Sequence, residues 1–202
     1  EVKSSYKKSV SLHFDVNSRE ESYAARMLTK SLQERGYVIN ANSGDYSIKF
    51  LIDKRRYDAE AFAIIPEGNV IKIIGGDYRG LIYGALSLSE DLRNEILLDN
   101  AVARSEKPKL MLRAVKYDLP WDTYRHSEAL NLHDETCRDP KYWEAFLDMM
   151  AENRLNALSL WNLHPYPFMI IPKNYPEASP FTKEEFKEWQ KLFQSIIGMA
   201  AE

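Results

Sequence analysis

The side chains best suited to recognition chemistry lie in the second half of the chain, at the ends of two β-rich runs. Leu110 to Leu119 runs out through Asp118-Leu119-Pro120-Trp121-Asp122, with Arg125 close behind. Asn156 to Asn162 has a continuous apolar centre, and its end carries Trp161, Asn162 and His164. An indole offers a flat apolar face for stacking, Asp and Asn exchange hydrogen bonds with hydroxyls, and a guanidinium pairs with a carboxylate. Bond-breaking chemistry needs more, and here the sequence offers little. Asp118 at a strand end has the type of an acid, but its position suits a structural hydrogen bond. His133, Asp134, Glu135 and Cys137 are metal-ligand types in a polar loop, without a second ligand cluster or a zinc spacing, so no metal or other cofactor is expected. No motif positions a base beside Cys137, which is therefore not read as a nucleophile.

Two further stretches contain groups that bind anions elsewhere. Lys54-Arg55-Arg56 is basic but carries no interleaved aromatics, and it reads as a solvated loop. Gly75-Gly76-Asp77-Tyr78-Arg79-Gly80 opens a helix, as phosphate cradles do. It misses the dinucleotide spacing and follows a hairpin strand, so it reads as a tight turn.

The elements that position these groups follow from periodicity. Val10, Leu12, Phe14 and Val16 alternate with polar residues, as in a half-buried strand. Ser18 and Glu21 have capping-box spacing, and Tyr23, Ala24, Met27, Leu28 and Leu32 continue at helical intervals to Gly36. Tyr46 to Asp53 predicts a second strand. Ala61 to Pro66 and Val70 to Ile74 flank Glu67-Gly68-Asn69 as a hairpin, and a helix runs on to about Arg93. Residues 6–95 thus predict an α+β domain, a small sheet with helices on one face. Residues 96–109 read as a connector. From 110 to 202 the order becomes strand, helix, strand, helix. Asp139-Pro140 begins one helix, and the Thr182–Glu185 capping box begins the last. That alternation predicts α/β architecture with a parallel sheet. Two parallel strands need cover on both faces, so the segment is expected to be the first βαβα of a TIM-type barrel, truncated at Glu202. Trp189, Phe193 and Ile196 of the last helix are expected to lie exposed on such an open fragment.

Composition narrows the class. The 202 residues are 45% hydrophobic, 28% charged and 12% aromatic, which suits a folded globular chain. A net charge of −3 gives no basic excess for nucleic acid. One cysteine precludes an internal disulfide framework. No apolar run approaches the ~20 residues of a membrane span. The sequence begins at Glu1 without a Met, so processing or trimming is expected.

Residues 61–93, AFAIIPEGNVIKIIGGDYRGLIYGALSLSEDLR, resemble the domain that precedes the barrel in β-hexosaminidases of glycoside hydrolase family 20. They are equally similar to the N-terminal domain of family 67 α-glucuronidases. Both place a hairpin and a Gly-rich turn before a helix with Tyr-Gly, here Tyr83-Gly84. Arg113-Ala114 resembles the start of those barrels. Met150-Ala151 with Arg154-Leu155-Asn156 resembles the hexosaminidase pattern M-A-x-x-[KR]-L-N. Where hexosaminidases carry H-W-H-L, this chain has Ser159-Leu160-Trp161-Asn162. The glucuronidases carry N-N-V-N, and Trp161-Asn162-Leu163-His164 keeps the central Asn while departing at Trp161 and His164. Trp121-Asp122 matches their Trp-Asp, so the glucuronidase-like branch is favoured.

The resemblance implies the N-terminal part of a bacterial-type glycosidase acting on uronic-acid or amino-sugar glycosides. Its chemistry uses paired carboxyl groups, with the substrate's acetamido group as nucleophile in hexosaminidases. In both families those carboxylates lie on later barrel strands, beyond Glu202, so no catalytic residue is assigned. Barrel sites gather at the C-terminal ends of strands. Trp121, Asp122, Asn162, His164, Arg125 and Trp161 are therefore expected to form part of a sugar subsite. The expected partners are an oligosaccharide or polysaccharide fragment and the remainder of the barrel, in a periplasmic or secreted setting. The alternative is a non-catalytic carbohydrate-binding or scaffold module.

Overall fold

The computed structural model describes residues 8–41, 43–120, 128–161, 166–179 and 181–201, with the side chains of 129–131, 161, 166 and 167 outside the description. The chain divides into two compact units, Glu1–Met111 and Leu112–Glu202.

The first unit is built on β1 (Ser9–His13), α1 (Arg19–Glu34), β2 (Val38–Ile39), β3 (Tyr46–Ile52), β4 (Phe62–Glu67), β5 (Val70–Gly75), α2 (Tyr78–Arg93) and β6 (Arg104–Glu106). The strands form one mixed sheet in the order β2-β1-β3-β5-β4-β6. β2, β1, β3 and β5 are mutually parallel, whereas β4 runs antiparallel to both β5 and β6. Period-two patterning decides the faces. Tyr46, Ile48 and Phe50 of β3 are buried, while Lys49 and Leu51, which alternate with them, are exposed. Ile64 pairs with Ile73, and Ile48 with Ile71, so one apolar face crosses the sheet. Helices α1 and α2 pack on each other, and α2 lies on β3, β4 and β5. Gly84 allows that approach, since a Cβ there would stand 2.6 Å from Ile73 Cγ2.

Residues read as a connector contribute to this sheet. β6 pairs with β4 in the register Ala63↔Ser105, and Arg104 reaches Asp91 of α2 at 2.7 Å and the Ser87 hydroxyl at 2.9 Å. The 3₁₀ turn Leu98–Asn100 is fastened as well: Asp99 takes hydrogen bonds from Lys8 and Tyr46, and Leu98 is buried.

The second unit contains β7 (Ala114–Asp118), α3 (Glu128–Arg138), α4 (Pro140–Glu152), β8 (Ala157–Trp161), α5 (Tyr166–Met169) and α6 (Lys183–Ala200). The stretch through His133 and Cys137 is helix α3, not the polar loop expected. Of its described side chains only Cys137 is buried, so an apolar stripe gives no sign of it. The exposure expected for α6 is also corrected. Trp189, Phe193 and Ile196 are buried with Leu119, Cys137, Trp143, Phe168 and Leu192 in one core. Phe168 of α5 closes on Trp189 with ring centroids 4.8 Å apart. The segment after β8 thus folds back over α6 and supplies the cover.

Candidate functional site

β7 and β8 are parallel, in the register Ala114↔Ala157 to Asp118↔Trp161. Their C-terminal ends stand side by side, and the segments bearing the predicted recognition residues begin at one edge. Trp121, Asp122, Arg125, Asn162 and His164 lie outside the described residues. Trp161 closes β8 by its backbone, and its side chain is outside the description.

The register has a visible local cause. The Arg113 amide donates to Asn156 Oδ1 at 2.9 Å, and the Asn156 amide donates to the Arg113 carbonyl at 2.9 Å. The Arg113 guanidinium also donates to the carbonyl of Arg154, a residue held at φ +57°. Arg113 and the Arg154-Leu155-Asn156 turn therefore clasp the two strands just before they pair. One residue of slip would turn every side chain to the other face.

The two faces of this sheet differ sharply. Val115, Tyr117, Leu158 and Leu160 are half-buried, and Tyr117, Leu158 and Leu160 pack on the aromatic core. Tyr117 stands 5.1 Å from Trp143 and 5.2 Å from Phe146 between ring centroids. Its hydroxyl meets Tyr142 Oη at 2.7 Å and Cys137 Sγ at 3.3 Å. Burial, then those two hydrogen bonds, hold the Tyr117 phenol well above its usual range. Burial likewise pushes the Cys137 thiol up, against a smaller lowering by the Tyr117 hydroxyl. A buried, protonated thiol is a poor nucleophile, so this cluster acts by packing. The opposite face carries Ala114, Lys116, Asp118 and Ser159, all exposed.

The other candidate groups resolve as structure. Asp77 caps α2, its carboxylate accepting from the amides of Gly80 at 2.8 Å and Glu60 at 3.0 Å. A carboxylate already sits where a phosphate would bind. A Cβ at Gly76 would lie 1.8 Å from the Asp58 carbonyl oxygen, so the glycine serves a tight turn. Lys54, Arg55 and Arg56 are exposed. Asp134 pairs with Arg138 one helical turn on, at 3.2 Å. Among the described residues, no group of three or more His, Cys, Asp or Glu is placed to hold a metal ion. No described helix is long and apolar enough to cross a membrane.

A concavity of about 220 Å³ lies between α3 and α6, lined by Arg138, Phe181, Glu185, Glu188, Trp189 and Leu192. The Arg138 guanidinium sits 4.4 Å from the Trp189 ring centroid. Sequence patterning missed it because Arg138, its wall opposite the predicted helix α6, comes from a helix read as loop.

No protein-family model and no curated protein sequence matches this chain. Solved structures do. A GH138 enzyme targeting pectin rhamnogalacturonan II superposes on 96% of the chain with a TM-score of 0.81 and 26% identity. A family GH115 4-O-methyl-α-glucuronidase with specificity for decorated arabinogalactans matches 89% of it, with a TM-score of 0.53 and 15% identity. A mutant β-hexosaminidase of Streptomyces plicatus, in complex with its product GlcNAc, matches 92% with a TM-score of 0.52 and 16% identity. The chain spans 30%, 27% and 39% of those proteins respectively. The fold is that of a region of glycoside hydrolases, with a six-stranded mixed sheet and helices.

Proposed function

We propose that this sequence is the N-terminal part of a glycoside hydrolase, an accessory domain followed by the opening strands of a catalytic (β/α)₈ barrel. The observation that carries the reading is the match to the GH138 enzyme over nearly the whole chain but under a third of that enzyme. The parallel β7–β8 pair supports it, because its second face lies open where a barrel interior would be. In this reading the unit that ends at Met111 is the accessory domain and the unit from Leu112 the barrel's beginning.

The chain's own part in the reaction is recognition. Trp121, Asp122 and Arg125 follow the first strand; Trp161, Asn162 and His164 follow the second. Stacking indoles, hydroxyl-binding Asp and Asn, and a guanidinium for a sugar carboxylate make a subsite for a uronic-acid or amino-sugar unit. The acid and its partner carboxylate come from later strands, and a periplasmic or secreted setting would bring the protein to polysaccharide.

The test is release of reducing ends by the natural gene product from three substrates: rhamnogalacturonan II fragments, decorated arabinogalactan and GlcNAc oligosaccharides. Cleavage of one is expected, and cleavage of the first two would favour the uronic-acid branch. Binding without cleavage would favour a carbohydrate-binding module. Neither binding nor cleavage would overturn both readings.

A further inference from the structure

We infer that Asp118 is a ligand-contacting residue of the sugar site and that Lys116 is its charge partner. The inference rests on the reading of β7 and β8 as barrel strands. Asp118 closes β7, in register with the last residue of β8, at the end where barrel sites gather. Alternation settles its direction. Tyr117 is fixed to the helical side by its contacts with Tyr142, Trp143 and Cys137, and Leu119 is buried on that side. Asp118 between them must face the open side. Its side chain is 56% exposed there.

Among the described residues Asp118 pairs with Lys116, two residues earlier on the same face, with Nζ to Oδ1 at 3.4 Å. An exposed ion pair of this kind adds at most about 1 kcal/mol to stability, so the fold gains little by keeping it.

The composition of the open face points to a ligand. Barrel interiors are usually filled with bulky branched side chains. Here the described side chains of that face are the exposed Ala114, Lys116, Asp118 and Ser159 and the half-buried Ala157, none of them bulky or branched. Such a face suits a hydrated, hydroxyl-rich ligand. The Asp118 carboxylate would accept from sugar hydroxyls, with the Lys116 ammonium orienting it. The cue was available in sequence as the alternation Val115-Lys116-Tyr117-Asp118.

The experiment uses the natural gene product and whichever of the three glycans it cleaves. Asp118→Asn is expected to lower kcat/KM by about 10- to 100-fold, the effect of losing one charged hydrogen-bond acceptor. Its Tm should stay within about 2 °C, since an exposed pair is removed. Lys116→Met keeps the acceptor and should lower kcat/KM less. An active wild-type protein with an unchanged Asp118→Asn variant would overturn this inference alone. Activity lost together with a large fall in Tm would assign Asp118 to the fold and overturn it as well. A wild-type protein that cleaves none of the three glycans would overturn the glycosidase reading and this inference with it.

Discussion

Trp143 anchors the second unit. It is fully buried, touches Tyr117, Tyr142 and Phe146, and donates its indole N–H to the Cys137 carbonyl at 2.8 Å. Trp143→Ala is expected to destabilise this unit by about 3–5 kcal/mol, read from urea denaturation. The neighbouring Cys137 and Tyr117 give a pH signature. Both have folded-state pKa values raised above the ordinary 9.0 and 10.0, so each favours the folded state fully below those values. That contribution fades as pH climbs through the raised values. Stability should therefore fall from about pH 9 upward. Cys137→Ser, which cannot ionise there, should flatten the first part of the fall, and a flat wild-type profile would contradict the account. Part of this was legible beforehand. Trp143 and Phe146 announced themselves by helical spacing on Asp139-Pro140. The link from Tyr117 to Tyr142 and Cys137 was not legible, because sequence separations of 25 and 20 residues say nothing of proximity. Nor could the alternation of β7 alone say which of its faces would be covered.

The elements owe their ends to local chemistry, and there the sequence spoke clearly. At α6 the Thr182 hydroxyl accepts from the Glu185 amide at 3.3 Å, and the Glu185 carboxylate takes the Thr182 amide at 2.8 Å. Thr182→Ala should cost about 1 kcal/mol in thermal or chemical denaturation. Those bonds to Thr182 also hold the Glu185 carboxyl below its usual range, so their help is present above the ordinary pKa and is lost as pH falls through the lowered one. At α1 the box is only half made. Ser18 caps the Glu21 amide, but the Glu21 carboxylate turns to the Asp15 amide at 2.6 Å instead. The turn before α2 tolerates no side chain at Gly76. Gly76→Ala should destabilise the first unit by about 2 kcal/mol or more, since backbone must move to admit the methyl group. Two elements escaped the sequence reading for one physical reason. α3 and β6 are mostly polar, and tertiary partners rather than an apolar pattern hold them: the Cys137 core for the first, β4 and Asp91 for the second. The helical cover of α6 escaped because Phe168 arrives from a Pro-rich segment without regular periodicity.

On the scale of the whole molecule, each unit has its own core, yet they differ in completeness. The first closes a six-stranded sheet with two packed helices. The second presents a two-stranded parallel sheet with one face covered and the other carrying the exposed Ala114, Lys116, Asp118 and Ser159. The likeness to glycoside hydrolase folds was legible because glycines at a close helix–sheet approach, Gly84 above all, leave a compact signature. The six residues expected to bind a sugar follow strand ends in the sequence, and the ends of β7 and β8 do lie together, but five of those residues and the side chain of the sixth are outside the described structure. The account therefore stands most openly to one measurement, a crystal structure of the natural gene product with the glycan it recognises best. It predicts further parallel strands continuing the β7–β8 sheet into a barrel. It also predicts the sugar at the C-terminal ends of those strands, within hydrogen-bonding reach of Asp118 and of the segments that follow Asp118 and Trp161. A β7–β8 pair buried under a helix on its Asp118 face, or a glycan bound away from those strand ends, would contradict it.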